Sequence, residues 1–170
     1  NNYVRDGYGI RLWLKAGYQI AVISGRPSES MRTRLRTLGV QHIVLDREDK
    51  LPVYREIRDR LGLTDAQCAH VGDDLPDVAL FEHVGLACAP ADAHDTALEK
   101  AHFISRAVGG RGAVRDVIGD GGVIAPFERP EVSELTPCGS AQQTAERRAQ
   151  TREDDLRLRV AEARVELYDL

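Results

Sequence analysis

The chain predicts a layered α/β domain built on a parallel sheet flanked by helices, and three observations carry that prediction. From Asp6 to about Val117, apolar positions at helical spacing alternate with short β-rich runs. Gly17, Gly39 and Gly62 stand where helices are expected to end in a left-handed cap. At 170 residues, with 42% hydrophobic and 29% charged side chains, the chain is long enough to bury one core.

Each element follows in order. Asp6 to Ala16 reads as a helix with Ile10, Leu12 and Leu14 among its apolar positions, and Gln19 to Ile23 as the first strand. Ser28 is the expected N-cap of a helix through Leu38, and His42 to Leu45 is the next strand. A helix from about Leu51 to Leu61 precedes a strand at Cys68 to Val71. That strand runs into Gly72-Asp73-Asp74, and Pro76 opens a short helix through about Glu82. Gly85 to Ala89 is a fourth strand, followed by a helix near Asp95 to Ala101, a strand at His102 to Ile104, and a last helix after Gly109-Gly110-Arg111-Gly112. The alternation stops there. Residues 1–118 are therefore read as the domain. Residues 119–140, rich in Gly, Pro and Ser, are read as a linker, and 141–170 as a charged tail, helical or disordered.

A net charge of -4 and a pI near 5.7 disfavour a nucleic-acid partner and an anionic membrane surface. No apolar run is long enough to span a bilayer and no secretory leader is visible, so a cytoplasmic location is expected. Cys68, Cys88 and Cys138 lack metal or redox spacing and are expected to be reduced thiols.

Ligands of parallel α/β sheets bind at the carboxyl ends of the strands, and three polar groups fall there. Ser24-Gly25-Arg26 offers a hydroxyl, a flexible backbone and a guanidinium suited to a phosphoryl group, although such turns also serve as plain connections. Asp73, Asp74 and Asp77 bring three carboxylates together, which calls for a cation such as Mg²⁺ or else decorates a helix N-terminus. Lys50 opens a helix, where its charge opposes the macrodipole unless an anion lies opposite; the alternative is a solvated side chain.

The order of these signals resembles the haloacid dehalogenase superfamily. The stretches VRDGYGIRLWLKAGYQIAVISGR, TLGVQHI, HVGDDLPD, VGLACAPADAH and GGRGAVRDV narrow the resemblance to its cap-free phosphatases of 3-deoxy-D-manno-octulosonate 8-phosphate. It covers about residues 3–118. It implies a Rossmann-like sheet, Mg²⁺ as cofactor, a lipopolysaccharide-precursor sugar-acid phosphate as substrate, and a homotetramer. It assigns Ser24 and Lys50 to the transferring phosphoryl group and Asp73, Asp74 and Asp77 to the metal. Arg5, Asp6, Gly7, Arg11, Arg26 and Arg34 are assigned to the substrate.

One family element is not found. The Asp-x-Asp motif, whose first carboxylate attacks phosphorus, is expected upstream of Tyr3, and no Asp-x-Asp occurs in the sequence. The expectation is a fragment, inactive as it stands, with weak metal binding and the first central strand missing. Two unpaired inner edges would then lie beside the strands ending at Ile23 and Val71, inviting a strand from another chain. The rival expectation is a non-catalytic sugar-acid-binding or oligomerisation module; a receiver-like signalling domain fits the arginines poorly.

Overall fold

Strands buried on both faces must be apolar throughout, and this chain supplies several such runs between amphipathic helices. The computed structural model describes residues 4–119 and the backbone of residues 165–168. In chain order the elements are α1 (Val4–Lys15), β1 (Gln19–Ser24), α2 (Glu29–Leu38), β2 (His42–Leu45), α3 (Lys50–Arg60) and β3 (Cys68–Val71). Then come α4 (Leu75–Phe81), β4 (Leu86–Ala89), α5 (Asp95–Lys100), β5 (Phe103–Ile104), α6 (Ala113–Ile118) and β6 (Val165–Tyr168).

Local chemistry sets the boundaries. Ser28 Oγ accepts from Met31 N at the start of α2, and Gly39, at φ 96°, ends it in the left-handed conformation. Trp13 stacks on Tyr18 and donates its indole N–H to the Gln19 carbonyl (3.0 Å), fixing the turn between α1 and β1.

The strands form one parallel sheet in the order β2-β1-β6-β3-β4-β5. Their alternation sorts the core into two layers. Ile20, Val22, Ala69, Val71, Leu86 and Cys88 face the layer of α1, α2 and α6, around Trp13 and Val117. Ala21, Ile23, Cys68, Ala87 and Ala89 face the other, around Tyr54, Ile57, Leu80 and Phe81 from α3 and α4.

The middle of the sheet departs from expectation. The position between β1 and β3 is filled by β6, whose Tyr168 pairs with Val22 on one side and Val71 on the other. The expected unpaired inner edges are therefore absent, and residues 165–168 of the tail are strand, not helix. Unpaired backbone donors and acceptors inside an apolar sandwich are costly, and an extended segment satisfies both edges at once. The expected linker beyond Gly119 and the rest of the tail lie outside the described residues. From β1 the chain moves outward to β2, and from β3 outward the other way, so β6 marks the point where strand order reverses.

Candidate functional site

The carboxyl edge at this reversal point carries Ser24 at the tip of β1, Lys50 as the first residue of α3, and the Gly72-Asp73-Asp74 turn after β3. Lys50 and Asp77 are built into the protein, at 3% and 0% exposure. A charge taken this far out of water persists only with a partner. Lys50 Nζ donates to Asp77 Oδ1 at 2.8 Å. His70, also fully buried, places Nε2 2.7 Å from the same oxygen. Asp77 Oδ2 accepts from the backbone N–H groups of Asp73 (3.2 Å) and Asp74 (3.3 Å). One carboxylate thus ties the start of α3 to the turn after β3.

Both oxygens of Asp77, expected from the sequence to face a metal, accept hydrogen bonds from protein donors. Burial pushes its pKa up, but the hydrogen bond from His70, the His70 charge and the Lys50 ammonium outweigh that and hold it at about 2. Asp74 caps α4, its Oδ1 accepting from Leu75 N at 2.7 Å, and closes a reciprocal capping box with Asp77. Asp73 lies exposed at the tip, its carbonyl accepting from His94 N at 2.8 Å. Among the described residues, no three His, Cys, Asp or Glu side chains converge as a metal site. The hard oxygens of Asp73 and Asp74 suit a water-retaining cation such as Mg²⁺.

Ser24 is buried at the end of β1; its Oγ accepts from Arg26 N at 3.2 Å, and its carbonyl accepts from Arg47 N. That bond folds the Ser-Gly-Arg turn over the strand tip and leaves the Arg26 side chain exposed. Arg5 is exposed at the first turn of α1, which begins on the same edge because α1 runs antiparallel to β1.

The remaining expected substrate residues are placed elsewhere. Asp6 is buried and accepts from Gly112 N (3.0 Å) and Arg115 N (2.9 Å), so its carboxylate caps α6. Gly7 is where α1 and α2 approach closely: a Cβ there would lie 3.1 Å from Arg34 Nη2 and 3.2 Å from Leu38 Cδ2. Arg34 Nη2 thus reaches the Gly7 face of α1. Arg11 is exposed, with Nη2 3.4 Å from the Thr37 carbonyl in the last turn of α2, toward the far edge of the sheet.

Two contributors were not singled out from sequence. His70 reads as one more core residue of an apolar strand. Gly72 reads as a generic turn, yet a Cβ on it would lie 2.3 Å from both Cβ and Cγ of Asp77. The D-x-x-D spacing of Asp74 and Asp77 was the available signal, since a capping box turns its second acid back toward the helix start.

Comparisons with known proteins agree with this architecture. Residues 42–118 match the haloacid dehalogenase-like hydrolase family model. The chain is 45% identical over 114 residues to 3-deoxy-D-manno-octulosonate 8-phosphate phosphatase of Yersinia pestis, covering 67% of this chain and 61% of that enzyme. The crystal structure of the Yersinia enzyme superposes with a TM-score of 0.67 at 44% identity, over 68% of this chain and 62% of the other. The Moraxella catarrhalis enzyme, solved with magnesium, phosphate and KDO, gives a TM-score of 0.67 at 33% identity over 68% of this chain and 67% of its own. The cobalt-bound Haemophilus influenzae enzyme gives 0.65 at 34% identity over 68% of this chain and 70% of its own. The chain spans about 61% of the length of the Yersinia relative. On this likeness the chain belongs to the haloacid dehalogenase-like hydrolases and, among them, to the 3-deoxy-D-manno-octulosonate 8-phosphate phosphatase family.

Proposed function

We propose that this chain forms the phosphoryl-binding part of a Mg²⁺-dependent phosphomonoester hydrolase acting on 3-deoxy-D-manno-octulosonate 8-phosphate. The single observation that carries the reading is the buried Lys50–Asp77 pair at the carboxyl edge of the reversal point. A buried ammonium held at a helix start is poised to meet a phosphoryl oxygen, and Ser24 at the neighbouring tip supplies a second polar group. Arg26 and Arg5 offer cations for a substrate that carries a carboxylate as well as a phosphate. Asp73, with Asp74, would hold Mg²⁺, which when bound offsets charge on the phosphoryl oxygens. Burial of Lys50 and Ser24 keeps bulk water from competing for those oxygens.

Hydrolysis through an aspartyl-phosphate needs a nucleophilic carboxylate, and we assign it to an Asp-x-Asp segment supplied in addition to residues 1–170. A homotetrameric assembly and a cytoplasmic location belong to the same proposal. No helix among the described residues is long and apolar enough to cross a membrane.

A second reading, a non-catalytic sugar-acid-binding module, is favoured by one observation: β6 already occupies the position between β1 and β3. Phosphate release from the sugar-acid phosphate, measured with Mg²⁺ and with an Asp-x-Asp segment joined ahead of Asn1, separates the two. Turnover that disappears in Lys50→Met supports the hydrolase. Ligand binding with no turnover in any joined form supports the binding module.

A further inference from the structure

His70 has a cost that its place in the core does not explain. It is fully buried, its Nδ1 has no hydrogen-bond partner among the described residues, and its ring meets that of Phe81 edge to face at 5.7 Å between centroids. An apolar side chain of similar size would fill the same space without stranding a polar atom. What the imidazole provides is its other nitrogen. A carboxylate only accepts hydrogen bonds, so the 2.7 Å contact makes Nε2–H the donor to Asp77 Oδ1.

We propose that His70 is a positioning residue of the phosphoryl site, holding Asp77 Oδ1 in place so that Lys50 stays fixed at the start of α3. The carboxylate is gripped at both ends: Oδ2 by the two backbone N–H groups of the turn, Oδ1 by His70 and Lys50 together. Without the imidazole donor, Oδ1 is held on that side by Lys50 alone, and the carboxylate is freer to swing about its bond. Lys50 Nζ donates to the same oxygen at 2.8 Å, so a shift of Oδ1 redirects that hydrogen bond. The inference rests on the reading of Lys50 as a phosphoryl ligand and adds what aims it.

The test uses the full chain, inorganic phosphate as probe in the presence of Mg²⁺, and two variants. His70→Leu removes the donor while keeping bulk, and His70→Gln returns an amide N–H near the Nε2 position. The expected result is phosphate binding about tenfold weaker in H70L and restored to within about threefold of wild type in H70Q. Nitrogen NMR of the imidazole is expected to show the Nε2–H form. Equal affinities in H70L and H70Q, or an Nδ1–H tautomer, would overturn the proposal, and the tautomer alone decides it if H70L does not fold. Absence of phosphate binding by the wild-type chain overturns both this inference and the hydrolase reading. Phosphate binding that follows the expected pattern, without turnover once an Asp-x-Asp segment is joined, removes the hydrolase reading and leaves the positioning role standing.

Discussion

Lys50 Nζ lies 2.8 Å from Asp77 Oδ1, and both side chains are almost wholly removed from solvent. Removing one partner of such a buried pair typically costs about 3–5 kcal/mol. Asp77→Asn and Lys50→Met are each expected to lose stability in that range on urea unfolding. The double variant is expected to lose less than the sum of the two.

The same carboxylate sets a pH response. Its folded pKa, about 2, lies below the ordinary carboxylate value of 3.8, so the stabilisation is fully present above pH 4 and is lost as pH falls toward 2. The difference corresponds to roughly 2 kcal/mol. Unfolding measured between pH 5 and pH 2 is expected to show this loss in wild type and a shallower slope in Asp77→Asn.

Gly72 is required by space. Its missing Cβ would lie 2.3 Å from Asp77 Cβ and Cγ, too close for either to remain where it is. Gly72→Ala is expected to cost about 1–3 kcal/mol and to weaken phosphate binding, because the displaced carboxylate carries Lys50 with it. Thermal unfolding and phosphate titration together check both halves.

Asp6 separates structure from substrate binding. Its carboxylate caps α6, so Asp6→Ala is expected to lose about 1 kcal/mol of stability and to keep phosphate affinity unchanged. A variant that folds as well as wild type but fails to bind would return Asp6 to the substrate side.

The inner strand is tested by proline. Leu167 pairs with Ala21 and His70 on its two sides, and proline there cannot donate to the ladder. Leu167→Pro is expected to destabilise the fold by about 3 kcal/mol, read by denaturant unfolding. No change would mean that β6 does not hold the middle of the sheet in solution.

Where local chemistry decides the outcome, the residues were legible. The runs His42–Leu45 and Cys68–Val71 are apolar and bounded by turn residues, and both strands have those limits. Ser28 caps α2 with its hydroxyl and Gly39 with its left-handed backbone. What was not legible depends on distant partners. Nothing near Asp6 announces the amide groups of α6, more than a hundred positions along the chain. Nothing in the charged tail marks Val165 to Tyr168 as the segment that pairs with both β1 and β3, because its value as a strand comes from the edges waiting for it. The acids after β3 were visible as a cluster, but the inward turn of Asp77 follows from Lys50 and His70, which lie on other elements or on the opposite side of the turn.

The most direct measurement of the central claim is a phosphorus NMR titration of inorganic phosphate into the intact chain with Mg²⁺, beside Lys50→Met. The account predicts saturable binding by wild type and its loss in the variant. Equal binding by both would contradict a phosphoryl site at Lys50.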